Sequence, residues 1–214
     1  MLIIGHIDKF NQLAATYDTP KNIEMAKRAA EAIRGLMDKK QTNQAIDFGC
    51  GTGLVGLELI DEFDSLVFVN ASAGMIKEVE KKLTEVNVKK ASTLCLDIEE
   101  EDTLPIKADT IVISLVLHHI ADTKKLLLQL YNALNANGQL LIVEMQKQAT
   151  TPYHHGHGID SADLKHELAA IGFEKMQIDQ FYDAEKESAG QEASMCKIYV
   201  GNGKNRVDKK KEDP

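Results

Sequence analysis

The chain has 214 residues, 43% hydrophobic and 27% charged, with a formal net charge of −8. That length suits one domain with small extensions, and the composition is that of a folded chain and not a disordered one. The acidic balance argues against a nucleic-acid backbone as the main partner, because such affinity rests on Lys and Arg.

The opening MLIIGHIDKF has a short apolar run and no basic leader, so no signal peptide is expected. Thr19-Pro20 then opens a helix with Ile23, Ala26, Ala30, Ile33 and Met37 on one face. From residue 44 strands and helices alternate. QAIDF (44–48) reads as a buried strand, and the segment after its glycines carries Leu54, Leu57 and Ile60 toward a core. SLVFV (65–69) is a second strand, followed by a helix in which Met75, Val79 and Leu83 repeat at helical spacing. ASTLCLD (91–97) is a third strand, and DTIVISLVL (109–117) is apolar almost throughout, as a central parallel strand covered on both faces should be. Asp122 caps a helix with Leu126, Leu127, Leu130 and Leu134 inward, which Asn137-Gly138 is expected to end. QLLIVEM (139–145) is a fifth strand; Asp160 or Ser161 starts another helix, with Leu164, Leu168 and Ile171 inward and Gly172 as its stop. FEKMQID (173–179) and SMCKIYV (194–200) are final strands without a helical pattern between them, which implies an antiparallel pair.

This order predicts an α/β fold: a doubly wound, mostly parallel seven-stranded sheet with helices on both faces and the last strand antiparallel. No apolar stretch reaches membrane-spanning length; IVISLVLHHI (111–120) is broken by Ser114 and two histidines. Cys50, Cys95 and Cys196 are widely spaced and are expected as reduced, buried thiols, with neither a disulfide framework nor a zinc site. A cytoplasmic protein is the resulting expectation.

The stretch AIDFGCGTGLVGLELI (45–60) is strand, glycine-rich turn and helix start. From Gly51 it reads G-x-G-x-x-G (Gly51, Gly53, Gly56), a dinucleotide fingerprint; from Asp47 it reads D-x-G-x-G-x-G. Asp47 separates the two. A carboxylate ahead of the glycines repels a pyrophosphate but suits a positively charged amino-acid moiety, and the loop carries no Lys or Arg for a diphosphate.

At this point the chain resembles the class I S-adenosylmethionine-dependent methyltransferases, specifically their small-molecule (type 11/12-like) branch, over residues 10 to 180. The likeness lies in FNQLAATYDT, AIDFGCGTG, VNASAGMI, CLDI, SLVLHHIAD, LNANGQLLIVE and LAAIGF, in that order. The resemblance implies a Rossmann-like methyltransferase fold with S-adenosyl-L-methionine as cofactor. It divides the chain into residues 1–40, a helical segment covering the cofactor site, residues 41–201, the cofactor-binding domain, and residues 202–214, a charged tail. It also implies that Gly49 and Gly51 bring backbone to the cofactor while Asp47 organises its amino-acid end. Asp97 would accept from the adenine amine, with Ile98 and Met75 against the ring. Ser114 and Leu115 would line the floor near the reactive sulfur, and Tyr17 would fold over the cofactor or pack at the surface. Asn70 departs from the family: it stands where an acid usually bonds the ribose diol. Its amide can still make neutral bonds, at a loss of roughly 1 kcal/mol relative to charged ones.

Methyl transfer from a sulfonium needs alignment more than a dedicated catalytic residue, so the catalytic residue is left open. Substrate-pocket candidates are His118 and His119 after the fourth strand, and Tyr153, His154 and His155 in TTPYHHGHG, a polar loop or acceptor lid. No metal is expected: His154, His155 and His157 lack a nearby Cys or carboxylate at ligand spacing. SLVLHH contains no [DN]-P-P-[YFW], the pattern associated with amino methylation of nucleic-acid bases. The expected acceptor is a small molecule, with neither nucleic acid nor membrane as partner. Two alternatives stand beside this reading. One is a non-catalytic S-adenosylmethionine-binding protein, suggested by Asn70. The other is an NAD-dependent oxidoreductase, for which no Tyr-x-x-x-Lys pair is found.

Overall fold

The computed structural model describes residues 4–145, 158–183 and 195–202. Among these residues seven strands form one sheet: β1 (Gln44–Phe48), β2 (Ser65–Asn70), β3 (Ala91–Cys95), β4 (Ala108–Ser114), β5 (Leu134–Met145), β6 (Glu174–Asp183) and β7 (Met195–Asn202). Their order is β3-β2-β1-β4-β5-β7-β6. The first five are parallel, and β7 runs antiparallel to both β5 and β6, as the missing helical pattern between the last two strands implied.

The helices are α1 (Ile4–Leu13), α2 (Pro20–Leu36), α3 (Leu54–Leu59), α4 (Ala73–Glu85), α5 (Thr123–Ala133) and α6 (Ser161–Ile171). Their starts follow from local chemistry. Thr19, Ser72, Asp122 and Asp160 each accept a backbone N–H of the first turn, and Pro20 occupies a position whose N–H has no helical partner.

Alternation along the strands divides the core in two. Ile46 and Phe48, Ile111 and Ile113, and Leu140 and Ile142 face one layer with Leu126, Leu127 and Leu130 of α5 and Leu164 and Leu168 of α6. Ala45, Leu66, Val112, Leu141 and Val143 face the other, with Ala29 and Ile33 of α2, Leu59 of α3 and Val79 of α4. A period of two with apolar residues at every position is what a sheet covered on both faces requires.

Four sequence-based expectations change. The helix capped by Asp122 ends at Ala133, not at Asn137-Gly138, because Leu134 pairs with Ala108 and begins β5. The Asn137-Gly138 turn, with Asn137 at φ +62°, lies inside the irregular start of that strand. β4 ends at Ser114, because Leu115 at φ +57° diverts the chain into a 3-10 turn, Leu117–His119. α3 is one short helix in which Leu57 packs against the core that Leu59 and the following Ile60 enter, as expected for Leu57 and Ile60; Leu54 lines a cleft instead. Cys95 is exposed, so the expectation of buried thiols fails there; it sits on β3, an edge strand with one side uncovered.

Candidate active site

The strand order reverses between β2-β1 and β4-β5, and a cavity of about 220 Å³ opens at the carboxyl ends of these strands. That is where an open α/β sheet leaves a crevice between diverging crossovers. One side of it is the glycine turn after β1. Gly49, Gly51 and Gly53 have φ of +69°, +54° and +82°, a left-handed backbone that side chains rarely adopt. The turn is tied to β2, where the N–H groups of Gly49 and Cys50 donate to the Val69 carbonyl at 2.8 and 3.1 Å.

Each glycine has its own reason to lack a Cβ. At Gly49 one would collide with the side chain of Val116, and at Gly56 it would press on the Phe68 ring and come 2.5 Å from Asp47 Oδ2. At Gly51 it would meet nothing nearer than Tyr17 at 3.8 Å, so Gly51 offers bare backbone to the cleft. The two sequence patterns thus share one loop: Gly56 serves helix–strand packing, and Gly49 and Gly51 shape the ligand side.

Asp47 is 2% exposed, and its Oδ2 accepts the Gly56 N–H at 3.0 Å. Burial pushes its carboxyl up to about 7, with the Gly56 hydrogen bond opposing. Burial also raises the neighbouring Cys50 thiol well above its ordinary range, and the Asp47 charge adds to that. The cleft therefore holds a carboxyl poised to ionise when a cation arrives.

The remaining wall comes from other strand ends. Asn70 closes β2; its Oδ1 accepts the Ser72 N–H at 2.8 Å. Met75 is fully buried beneath the wall. Past β3, Asp97 accepts the Glu99 N–H at 3.1 Å, and Ile98 packs beside it. That loop is fastened by Gln129 of α5, whose Nε2 donates to the Glu101 carbonyl at 2.7 Å, and by Lys125, which donates to the Glu99 carbonyl at 3.1 Å. Ser114 and Leu115 follow β4.

The cleft wall thus contains Asp47, Gly49, Gly51, Asn70, Met75, Asp97, Ile98, Ser114, Leu115, Tyr17 and His119 together. Burial, and secondarily Asp18, raises the Tyr17 hydroxyl. His118 is not part of this wall. Its side chain is 7% exposed and its Nδ1 stands 2.9 Å from Glu144 Oε2. Glu144, buried at the end of β5, also accepts the Leu117 and Met145 N–H groups at 2.9 and 3.0 Å, so it braces the turn that presents His119. His118 belongs to that brace and not to the pocket proposed for it. Tyr153, His154 and His155, with the rest of their loop, lie outside the described residues.

Several contributors were missed from sequence. Ile7 and Phe10 of α1 and Asn22 and Met25 of α2 line the cleft. Asn11 Oδ1 accepts from Ser72 Oγ at 2.7 Å and from the Gly74 N–H at 2.9 Å, pinning α1 to the start of α4. Asp18 pairs with Lys82 at 2.5 Å and accepts from Thr52 Oγ1, while Lys82 donates to the Thr52 carbonyl at 2.7 Å. Polar residues on an amphipathic N-terminal segment give no local signal of these roles. Glu144 did give one, as a carboxylate ending the apolar run LLIVE.

A model of the methyltransferase domain family matches residues 46–140, β1 through the start of β5. An uncharacterised methyltransferase of Schizosaccharomyces pombe is 26% identical over 133 residues, covering 59% of this chain and 47% of its own. A ubiquinone/menaquinone biosynthesis C-methyltransferase of Campylobacter jejuni is 26% identical over 156 residues, covering 66% of this chain and 64% of its own. The chain therefore spans about half to two thirds of the length of these relatives. Among solved structures, the magnesium protoporphyrin IX methyltransferase of Synechocystis, with S-adenosylhomocysteine bound, superposes with a TM-score of 0.65 at 16% identity, over 85% of this chain and 83% of that one. Residues 46–140, which hold the glycine turn and much of the cleft wall, are therefore similar to the methyltransferase domain family.

Proposed function

We propose that the chain is an S-adenosylmethionine-dependent methyltransferase acting on a small-molecule acceptor. The observation that carries this reading is the meeting of Asp47, Asn70 and Asp97 on one cleft wall beside the bare backbone of Gly51. These residues fit the cofactor. Asp47 faces a cationic amino-acid end, Asn70 a ribose and Asp97 an adenine amine, with Ile98 and Met75 offering the ring an apolar surface and Ser114 and Leu115 the floor. When bound, the cofactor supplies an activated methyl group, whose carbon takes the acceptor's lone pair while the sulfur keeps the electrons of the broken bond.

The chain's own part is to bind, orient and exclude water. Tyr17 and α1 cover the cleft, and the Gln129 anchor fixes the loop bearing Asp97. Where the acceptor must lose a proton, His119 is the candidate base among the described wall residues. The oxidoreductase alternative is disfavoured by Asp47, a carboxylate ahead of the glycines that would repel a pyrophosphate. Among the described residues no helix is long and apolar enough to cross a membrane.

Calorimetry with S-adenosylhomocysteine and NAD tests the cofactor. Binding of the first and not the second is expected, and tight NAD binding without S-adenosylhomocysteine binding overturns the assignment. A metabolite extract incubated with methyl-labelled S-adenosylmethionine tests catalysis; no labelled product from any fraction would favour a non-catalytic binder.

A further inference from the structure

α1 (Ile4–Leu13) spans the cleft from one strand end to another. On one side Asn11 Oδ1 accepts from Ser72 Oγ at 2.7 Å and from the Gly74 N–H at 2.9 Å, where α4 begins after β2. On the other the Phe10 ring stands edge to face on His119, past the end of β4, with centroids 5.4 Å apart and planes at 75°. β1 and its glycine turn lie between β2 and β4 in the sheet, so α1 bridges that turn, and Ile7 and Phe10 belong to the cleft wall. We propose that α1 is a hinged strap governing passage into and out of the cleft, with the Asn11 contact as its catch and the turn at Ala14–Thr16 as its hinge.

The strap is lightly held and the chain after it is not. None of residues 7–13 is buried: Ile7 and Phe10 are half-buried and the others exposed. A helix that buries so little apolar surface depends on its few polar contacts, and such elements open locally well before a domain unfolds. Beyond it Ala14 is 6% exposed, Asp18 pairs with Lys82 at 2.5 Å and accepts from Thr52 Oγ1, and Asn22 Nδ2 donates to the Tyr17 carbonyl at 2.7 Å. Freedom therefore ends at the short 3-10 turn Ala14–Thr16, between the catch and the Asp18 clamp.

The catch is a close-fitting contact between protein groups alone. A Cβ at Gly74 would come 3.0 Å from the Asn11 carbonyl oxygen and 3.1 Å from its Cα, so glycine lets α1 rest directly on the first turn of α4. Ser72, 1% exposed, is held on its other side by Asn70, which accepts its N–H at 2.8 Å. Neither Asn11 nor Gly74 lies on the described cleft wall. The catch is thus the same in free and occupied protein, and weakening it raises the open fraction of both alike. Association and release then quicken together while affinity is preserved, because the two changes cancel in their ratio.

S-adenosylhomocysteine serves as the probe of passage, on the cofactor reading above. Its association and release are followed by surface plasmon resonance, and hydrogen exchange of the α1 amides is followed with no ligand added. Asn11→Ala removes the acceptor of both catch bonds; Gly74→Ala forces a methyl group against the Asn11 backbone while favouring the α4 helix. In Asn11→Ala both rates should rise roughly tenfold, the effect of losing two neutral hydrogen bonds at a partly exposed site, with the dissociation constant within about threefold of native. Gly74→Ala should move both rates severalfold in the same direction. The α1 amides should exchange faster in both variants while those of β1 and β4 keep their protection. Unchanged rates in both variants overturn the strap. Faster release with unchanged association also overturns it, since α1 would then be a ligand contact, and so does loss of protection in β1 and β4, which would make the catch a prop of the whole fold. If the native chain binds no S-adenosylhomocysteine the methyltransferase reading falls instead. The exchange measurement then decides the strap by itself, and α1 amides protected as strongly as those of β1 overturn it.

Discussion

Asp47→Asn should stabilise the ligand-free protein and weaken cofactor binding, two effects of opposite sign from one substitution. The carboxyl is 2% exposed and raised from 3.8 to about 7, mainly by burial. A raised acid contributes most to stability below its unfolded value and loses that contribution as pH climbs through its folded value. At about 1.36 kcal/mol for each tenfold change in proton affinity, that rise costs the native state about 4 kcal/mol once pH exceeds 7. Asparagine keeps an acceptor for the Gly56 N–H and does not titrate. Its stability advantage should therefore widen by about 2 kcal/mol between about pH 5.5 and about pH 8.5, the part of the titration lying in that window. Urea unfolding of both proteins at the two pH values reads this directly. S-adenosylhomocysteine affinity at the higher pH should fall at least about tenfold, since the cationic amino group loses its counter-charge. A variant with the pH dependence of the native protein would refute the burial argument, and undiminished affinity would refute the role assigned to Asp47.

Asp97→Ala should weaken S-adenosylhomocysteine binding more than Asn70→Ala, because a carboxylate makes charge-assisted bonds; equal losses at one salt concentration would count against the assignment. Asn70→Asp should tighten binding severalfold, since an aspartate can still accept the Ser72 N–H while offering the ribose a charged oxygen. Asp18→Asn should speed S-adenosylhomocysteine release roughly fivefold, the effect of about 1 kcal/mol for a partly exposed charged contact; unchanged release in stopped flow would show that the latch does not hold the cleft. Gly49→Ala should lower the unfolding midpoint, with Val116→Ala in the same chain recovering only the steric part. The left-handed backbone at φ +69° remains strained by about 1 kcal/mol. Full recovery in the double variant would show that strain is negligible there.

The alternation of strands and helices, the glycine turn and the helix starts at Thr19, Asp122 and Asp160 could all be read directly. Each depends on residues within a few positions of one another: the side-chain period, the left-handed tolerance of glycine, an oxygen reaching the next turn. The same locality brought Asp47, Asn70, Asp97 and Ser114 to one rim, because each lies at or just past the carboxyl end of a parallel strand and parallel strands end on the same side. What local pattern did not decide was which neighbour a residue would meet across the fold. Leu134 left its helix because Ala108 offered a strand partner. His118 and His119 parted company because Leu115 turned the chain, sending one ring to Glu144, twenty-six residues away in sequence, and the other into the cleft. Asn11 and Asp18 acquired their roles only where α1 and its following turn came to rest on α4 and the glycine loop. Such contacts join residues distant in sequence, so packing of the assembled sheet and helices determines them, and no window of neighbouring residues encodes them.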